Sequence, residues 1–343
     1  MPAHPGDQYP GKVDAAGQGS GYQYALHLGA KPGVIPLRPL TLGDILDGTF
    51  QVMRRLPGPI FGSAAIVATV MAMATTFATW VMATQLAGML DSSTAPAAEE
   101  MVGTFALASA VWIVSTAIAF LAQAVLSGVL VVPTGKATTG HGITFAEVWR
   151  EALPRAGALI GWALLLTVAE VAVFVLTAAP VIALTVALNE PGWLFLLFLL
   201  IPAWLAGLVW VLGRLSFVPA VMMLEKVGIG RGFSRSRSLS TGSFWRIVGI
   251  LVLGMIITWM VALVLSVPGS IISGIVAAIQ EPDPASALGG TPLQLMVNAL
   301  TLILTRTIAL PFMSILTTMV YVDTRIRREG LDVQLARAAA QRS

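Results

Sequence analysis

Six long apolar segments alternate with short polar segments along this chain. Charged residues are absent between Arg55 and Asp91, and again between Glu100 and Lys136. Crossing a hydrocarbon core of about 30 Å takes about 20 apolar residues in a helix. The pattern therefore predicts an all-α integral membrane protein. Its six transmembrane helices are predicted near residues 60–88, 103–132, 156–188, 192–223, 246–279 and 292–322.

The composition agrees with this interpretation. Of the 343 residues, 56% are hydrophobic and 11% are charged, whereas soluble domains carry about 25% charged residues. A chain with so few charges cannot cover a water-facing surface, which excludes a soluble globular protein. The chain has no cysteine, which excludes disulfides and a thiolate nucleophile. Three scattered histidines (His4, His27 and His141) are too few for a histidine metal centre, and we predict no metal or cofactor.

The basic residues are distributed unevenly between the two sides of the predicted bundle. All of the 20 lysines and arginines except Arg214 and Arg306 lie outside the apolar segments. They occupy the N-terminal segment, the 133–155 and 224–246 loops, and the C-terminal tail. The other three loops, 89–102, 189–191 and 280–291, carry only acidic charges. By the positive-inside rule, both termini are predicted on the cytoplasmic side of a cell (inner or plasma) membrane.

Three regions follow from this topology. Residues 1–36 are rich in Gly, Pro, Gln and Ala, lack the apolar region of a signal peptide, and are predicted to form a disordered cytoplasmic arm. Residues 37–323 form the six-helix transmembrane domain. Residues 324–343 form a cytoplasmic C-terminal helix or tail.

A short amphipathic stretch ending in arginine precedes three of the helices. The stretches are Thr41–Arg55, Thr144–Arg155 and Gly230–Arg246. Such sequences form helices that lie flat at the membrane interface. We therefore predict three copies of one unit, each an interfacial elbow helix followed by two transmembrane helices. Internal repeats in membrane proteins can frame a binding site or simply record duplication.

Two pairs of glycines at GxxxG spacing are candidates for close helix packing. These are Gly58 with Gly62, and Gly157 with Gly161. Small residues at this spacing let two helices approach closely, although an Ala- and Gly-rich chain also produces the spacing by chance.

Three charged residues, Glu170, Arg214 and Arg306, lie within the apolar segments. A charge near the bilayer centre costs about 2.5–3.5 kcal/mol on insertion scales, so such residues normally face the bundle interior and find partners. One hypothesis is a structural Glu170–Arg306 ion pair. The alternative is an intramembrane charge cluster that binds an anionic lipid headgroup or solute, because guanidinium groups match phosphates and carboxylates. Proton-coupled transport through Glu170 is a third possibility.

The basic loop offers a second candidate site. Its arginines are interleaved with Ser, Phe and Trp, a pattern typical of contacts with anionic lipid headgroups. The candidate contacts are Arg231, Arg235, Arg237 and Arg246. Topology determination alone explains the same charges, and nucleic-acid binding is not required.

The end of the last helix offers a third candidate site. Charges at i,i+4 spacing, such as Asp323 with Arg327, predict that the helix continues into the cytoplasm with surface ion pairs. The residues Asp323, Arg325, Arg327 and Arg328 form either a solvated helix end or a docking surface for a cytoplasmic protein.

Three motifs resemble those of a known family. They are RPLTLGDILDGTF (Arg38–Phe50), LEKVGIGRGFSRSRSLSTGSFWRIVGI (Leu224–Ile250) and YVDTRIRREGLDVQLA (Tyr321–Ala336). The chain resembles the glycerophosphoryl diester phosphodiesterase membrane domain family of actinobacterial multi-pass membrane proteins. In fused family members a soluble catalytic barrel with metal-binding acids and catalytic histidines follows the membrane part. No histidine follows His141 here, so the resemblance implies only the membrane module.

The sequence therefore favours a non-enzymatic protein, because no nucleophile, base and oxyanion groups converge. We expect an accessory or lipid-interacting subunit of the bacterial cell envelope. Its expected partners are the anionic headgroups of membrane lipids, and membrane or cytoplasmic proteins are further candidates. The alternative is a transporter or flippase for an anionic substrate that uses Glu170, Arg214 and Arg306. No oligomeric state is predicted.

Overall fold

A computed structural model describes residue 34 and residues 38–91, 98–188, 195–279 and 291–330 of the chain. The described part is helical. Its helices are α1 (Leu42–Arg55), α2 (Pro57–Asp91), α3 (Ala98–Thr138), α4 (Phe145–Leu188), α5 (Phe195–Leu215), α6 (Val218–Leu224), α7 (Ile229–Ser240), α8 (Phe244–Ile279) and α9 (Pro292–Glu329). The predicted arm and most of the predicted tail, residues 1–33 and 331–343, lie outside the described residues.

Six helical segments are long and apolar enough to cross a membrane, as predicted. They are Pro57–Met89, Ala106–Thr138, Phe145–Thr177, Phe198–Leu224, Phe244–Ile279 and Pro292–Glu329. Their apolar side chains are largely exposed in the isolated chain, for example Leu176 (74%) and Val264 (70%). A surface of this kind is stable only against lipid, and the protein is a multi-pass membrane protein.

The N-terminal amphipathic stretch forms a separate helix, α1. Thr41 accepts a hydrogen bond from the backbone N–H of Asp44, and the Asp44 carboxylate accepts one from the backbone N–H of Thr41. This capping box satisfies two helix-end donors and sets the start of the helix. The helix ends at Arg55, and Pro57, which suits a first helical position, begins α2.

The second amphipathic stretch does not form a separate helix. Phe145 to Leu188 is one continuous helix, and Pro154 lies within it. Membrane proteins accommodate a proline in a helix when neighbouring groups satisfy the freed carbonyl. The three predicted elbow units therefore differ in local structure, since α1 and α7 are separate helices and the stretch at Thr144–Arg155 is not.

The predicted helix at 192–223 is broken near one end. Helix α5 ends at Leu215, Ser216 and Phe217 form a turn, and α6 begins at Val218. Pro219 lies in the first turn of α6, where its missing N–H removes no helical hydrogen bond. Helix α6 then packs against α3 and α7.

The most buried part of the molecule lies at one end of the bundle, where α1, α6, α7, the start of α8 and the end of α9 meet. We call it the basic end. The largest fully buried side chains include Tyr321, Phe217, Leu40 and Leu239, and Phe217 packs edge-on against Tyr321 at 5.9 Å. Helix α9 packs against α1, α2, α3 and α8. The basic end is therefore the most closely packed part of the described fold.

Candidate functional site

Asp323 on α9 is the central acid of the basic end. Its carboxylate is fully buried and forms ion pairs with Arg246 of α8 and with Arg327, whose Nε lies 3.0 Å away. It also accepts the backbone N–H of Leu40 at 2.8 Å. A buried carboxylate is stable only when its oxygens are paired in this way. Asp323 therefore holds together three segments that are distant in the sequence.

The same two arginines also bind the backbone carbonyl of Leu40. Arg246 donates to this oxygen at 3.0 Å and Arg327 at 2.7 Å. Both main-chain polar groups of Leu40 are thus satisfied, while its side chain is fully buried. These contacts attach the chain just before α1 to the start of α8 and the end of α9.

Glu225 is the centre of a second charged group beside the first. It accepts hydrogen bonds from Arg235 of α7 at 3.1 Å and from the Tyr321 hydroxyl at 2.8 Å. Burial alone would lower the pKa of Arg235, but its hydrogen bond with Glu225 and the charges of Glu225 and Glu329 raise it. Arg325 pairs with Glu329 at 2.9 Å, and Arg235 also pairs with Glu329. This group attaches α7 to α9.

Arg214 also lies at the basic end. Its guanidinium donates to the Thr241 hydroxyl at 3.3 Å and lies 5.3 Å from the centre of the Phe244 ring. Its carbonyl accepts a hydrogen bond from Ser236 at 2.7 Å. The long side chain thus reaches the polar turn between α7 and α8, as expected of an arginine near a helix end in a membrane.

Arg306 lies far from this cluster. It is about 25 Å from Asp323 along α9 at 1.5 Å rise per residue, and its side chain is exposed. Within the described part of the chain it makes no side-chain hydrogen bond or ion pair. The side chain of Glu170 lies outside the described residues. The structure therefore separates Arg214 from Arg306 and does not test the proposed Glu170–Arg306 pair.

The arginines of the basic loop divide into two pairs. Arg235 and Arg246 pair with carboxylates inside the protein. Arg231 and Arg237 are exposed, and neither side chain makes a hydrogen bond or ion pair with any residue that the structure describes. The sequence pattern predicts lipid contacts for all four arginines. Of these four arginines, only Arg231 and Arg237 have a guanidinium that is free within the described protein.

The residues predicted as a docking surface are mostly engaged in contacts within the protein. Asp323 has no exposed surface with which to contact a partner. Arg325 and Arg327 pair with Glu329 and Asp323 as the i,i+4 spacing predicted, and Arg328 donates to the carbonyl of Ser238 at 2.6 Å. Helix α9 continues to Glu329, where Gly330 ends it with a left-handed conformation.

Sequence reasoning missed Glu225, Tyr321 and the backbone of Leu40 as members of this site. Glu225 was visible as the last acid before a long basic stretch, but nothing local shows that it contacts Tyr321. The buried main chain of Leu40 leaves no signal in the sequence, because its hydrogen bonds do not depend on the side chain.

Exposed positions of α7 form a small basic surface next to the membrane spans. We define the α7 surface as Arg231, Ser234, Arg237 and Ser238, which are all exposed. The opposite side of α7 is anchored, since Phe233 packs against Trp162 at 6.5 Å and Gly232 lies close to Met222 of α6. Trp245, at the start of α8, is 76% exposed. The α7 surface thus presents free guanidinium groups and hydroxyls, and the exposed indole of Trp245 follows it in the chain.

No group of three or more histidines or acids that could hold a metal ion occurs among the residues that the structure describes. Comparison of the chain with protein-family models, with curated proteins and with solved structures finds no match. The candidate site is therefore argued from its own geometry alone.

Proposed function

We propose that this protein is a non-enzymatic accessory or lipid-interacting membrane subunit of the bacterial cell envelope, of the glycerophosphodiesterase membrane-domain type. In this proposal the basic end lies at the cytoplasmic leaflet, and the α7 surface contacts anionic lipid headgroups there. The observation that carries the proposal is the pair of free, exposed guanidinium groups, Arg231 and Arg237, on one helix that is followed in the chain by the exposed Trp245.

The energetics favour a lipid phosphate as the ligand of this surface. A lysine or arginine near an anionic leaflet contributes about 1 kcal/mol, and tryptophan prefers the headgroup level of a bilayer. A guanidinium binds phosphate through two parallel hydrogen bonds. The hydroxyl of Ser234, between the two arginines along α7, supplies a further polar contact.

The surface is held rigid by the ion pairs behind it. Arg235 is bound to Glu225 and Glu329, so α7 cannot easily rotate or detach from α9. A fixed helix keeps the backbone positions of Arg231 and Arg237 constant, although their exposed side chains remain mobile. Less conformational entropy is then lost when a headgroup binds.

Transport of an anionic substrate through the bundle is the competing hypothesis. It requires Arg214 and Arg306 to act on one substrate. Arg214 contacts Thr241 and Phe244 at the basic end, and Arg306 lies about 25 Å along α9 from this level. The separation favours two independent roles for these residues over a common site.

We expect the double variant R231A/R237A to lose anionic lipid. The protein is purified in mild detergent, bound phosphatidylglycerol and cardiolipin are counted by native mass spectrometry, and the affinity for added phosphatidylglycerol is measured by titration in detergent micelles. Loss of two contacts of about 1 kcal/mol each corresponds to about a tenfold to thirtyfold lower affinity for phosphatidylglycerol. The matched control is R150A/R155A, which removes two arginines near the start of α4.

Equal lipid retention by R231A/R237A and R150A/R155A would show that binding depends on net charge and not on the α7 surface. Binding that does not weaken between low and high salt would also contradict the proposal, since exposed charge contacts are screened by salt. Unfolding curves of both double variants should match that of the parent protein, because none of the four arginines is fully buried.

The orientation can be tested separately, because the chain has no cysteine of its own. We expect S234C, on α7, to react with a membrane-impermeant maleimide only after intact cells are opened. The matched variant S286C, in the acidic loop between α8 and α9, is expected to react in intact bacteria whose outer layers admit the reagent. The reversed pattern would place the basic end outside.

A further inference from the structure

A mainly apolar cavity with one polar side lies within the bundle, below the basic end. Its volume is about 250 Å³, and side chains from α3, α4, α5, α6, α8 and α9 line it. Along α9 it reaches Thr318, about 8 Å below Asp323. Along α3 it reaches Gln123, about 20 Å from Lys136. The cavity therefore extends from just below the headgroup level towards the middle of the membrane.

Hydroxyl groups line one side of this cavity, and three of them already donate their hydrogens to backbone carbonyls. Ser127 donates to the carbonyl of Ala124 at 2.7 Å, Thr317 to that of Met313 at 2.8 Å, and Thr318 to that of Ser314 at 2.9 Å. Each hydroxyl oxygen can still accept hydrogen bonds. The wall thus presents acceptors to a ligand that brings a donor.

Ser216 supplies an unsatisfied polar group at the same cavity. Its Oγ is buried and has no hydrogen-bond partner within the described protein. A buried hydroxyl without a partner costs about 1–3 kcal/mol, and in a bilayer few water molecules are present to satisfy it. The side chain of Gln123, also at the cavity, makes no hydrogen bond with described residues. A ligand in the cavity could satisfy Gln123 directly, and Ser216 once its side chain rotates towards the cavity.

The remaining lining limits the chemistry of that ligand. No charged side chain occurs among the residues that line the cavity, and its other walls are apolar, with Phe120, Trp162, Leu166 and Met313 among them. A charged headgroup would be buried here without a counter-ion, at a high cost in free energy. An alkyl chain would pack against the apolar walls, and a hydroxyl group would reach the polar side.

We propose that this cavity binds an uncharged, hydroxyl-bearing lipid, such as a monoacylglycerol or a long-chain alcohol, through Ser216, Gln123 and the threonine oxygens of α9. The volume lies just under the 300–1,000 Å³ of typical ligand sites, so it holds the head and the first part of one chain. Phe120 both lines the cavity and is 36% exposed, so we expect the rest of the chain to leave the cavity beside it. This site differs from the α7 surface in its position and in the charge of its ligand. An experiment can therefore reject one of the two proposals and leave the other standing.

The test is photolabelling of the whole protein in phosphatidylcholine vesicles with a monoacylglycerol that carries a diazirine on its chain. We expect saturable labelling on peptides of α3, α4 and α9. Ser216→Ala should raise the half-saturating amount of probe about threefold to tenfold, which corresponds to the loss of one hydrogen bond. Ala163→Phe and, as a smaller change, Ala124→Leu place bulk in the cavity and should abolish saturable labelling.

The matched control is Ser266→Ala, which removes an exposed hydroxyl of α8 that donates to the carbonyl of Leu263, and it should label like the parent protein. Unlabelled long-chain alcohol should compete with the probe, and phosphatidic acid should not. Labelling spread evenly over the lipid-facing helices would overturn the proposal. The proposal would also be overturned if the Ser216→Ala variant and the Ala124→Leu variant were both labelled like the parent protein. This outcome does not depend on whether Ala163→Phe folds. Equal competition by phosphatidic acid would reject an uncharged ligand.

Discussion

Replacing Asp323 with alanine is expected to lower the free energy of unfolding by about 3 kcal/mol, the largest effect of any single polar change at the basic end. The variant leaves the guanidinium groups of Arg246 and Arg327 without their buried carboxylate. It also leaves the backbone N–H of Leu40 without an acceptor. Breaking a buried ion pair costs about 3–5 kcal/mol, and the lower value applies because both arginines are partly exposed. Denaturant titration in detergent micelles measures the loss.

Asp47→Ala is the control for this variant. Asp47 is an exposed acid of α1 whose carboxylate accepts a hydrogen bond from Gln51, and its removal should change stability by less than about 0.5 kcal/mol. Asp323→Asn should fall between the two, because its amide oxygen can still accept the N–H of Leu40. Equal stability of the Asp323 and Asp47 variants would mean that the contacts of Asp323 do not hold the basic end together.

Replacing Gly254 with valine is expected to destabilise the bundle by about 3 kcal/mol, through a clash between α8 and α9. A Cβ atom at Gly254 would lie 2.1 Å from Cδ2 of Leu316, a side chain that is fully buried. Overpacking of a tight core costs about 1–3 kcal/mol, and the upper value applies because Leu316 has little space to move into. The same denaturant titration measures the loss.

Gly249→Val is the matched variant on the same helix. Gly249 is exposed, and no atom lies within 4 Å of a Cβ placed there. Its replacement should leave the free energy of unfolding unchanged or raise it by up to about 0.5 kcal/mol, since valine is a somewhat better helix former than glycine. A similar loss of stability in both variants would show that the chemistry of valine, and not the α8–α9 contact, causes the effect.

The six spans were predictable because the ability of a segment to cross a bilayer depends on its own local composition. A segment of about 20 apolar residues has few alternatives to a helix across the membrane. The starts of α1 and α9 are also determined by local sequence, since the capping boxes at Thr41 and Thr291 each use two residues that are three positions apart. The break at Ser216 was harder to predict, because the apolar pattern continues through it.

The close helix contacts illustrate what a local pattern cannot reveal. Of the GxxxG glycines, Gly58 and Gly157 have no neighbour within 4 Å of an added Cβ. The tightest contacts involve other glycines, such as Gly128 against Leu159 and Gly269 against Thr301. Which side of a helix meets a neighbour depends on the arrangement of the whole bundle, and spacing along one helix does not encode it.

The local sequence was sufficient to predict the helical class, the six spans and the concentration of basic residues at one end. Each of these features depends only on neighbouring residues and on the surrounding lipid and water. The roles of individual charges depended on the folded bundle. Arg235 and Arg246 look like Arg231 and Arg237 in the sequence, yet the folded chain brings Glu225 and Asp323 to the first pair and leaves the second pair exposed. Ion pairing depends on distances between segments that are far apart in the chain, and these distances exist only after the helices have packed.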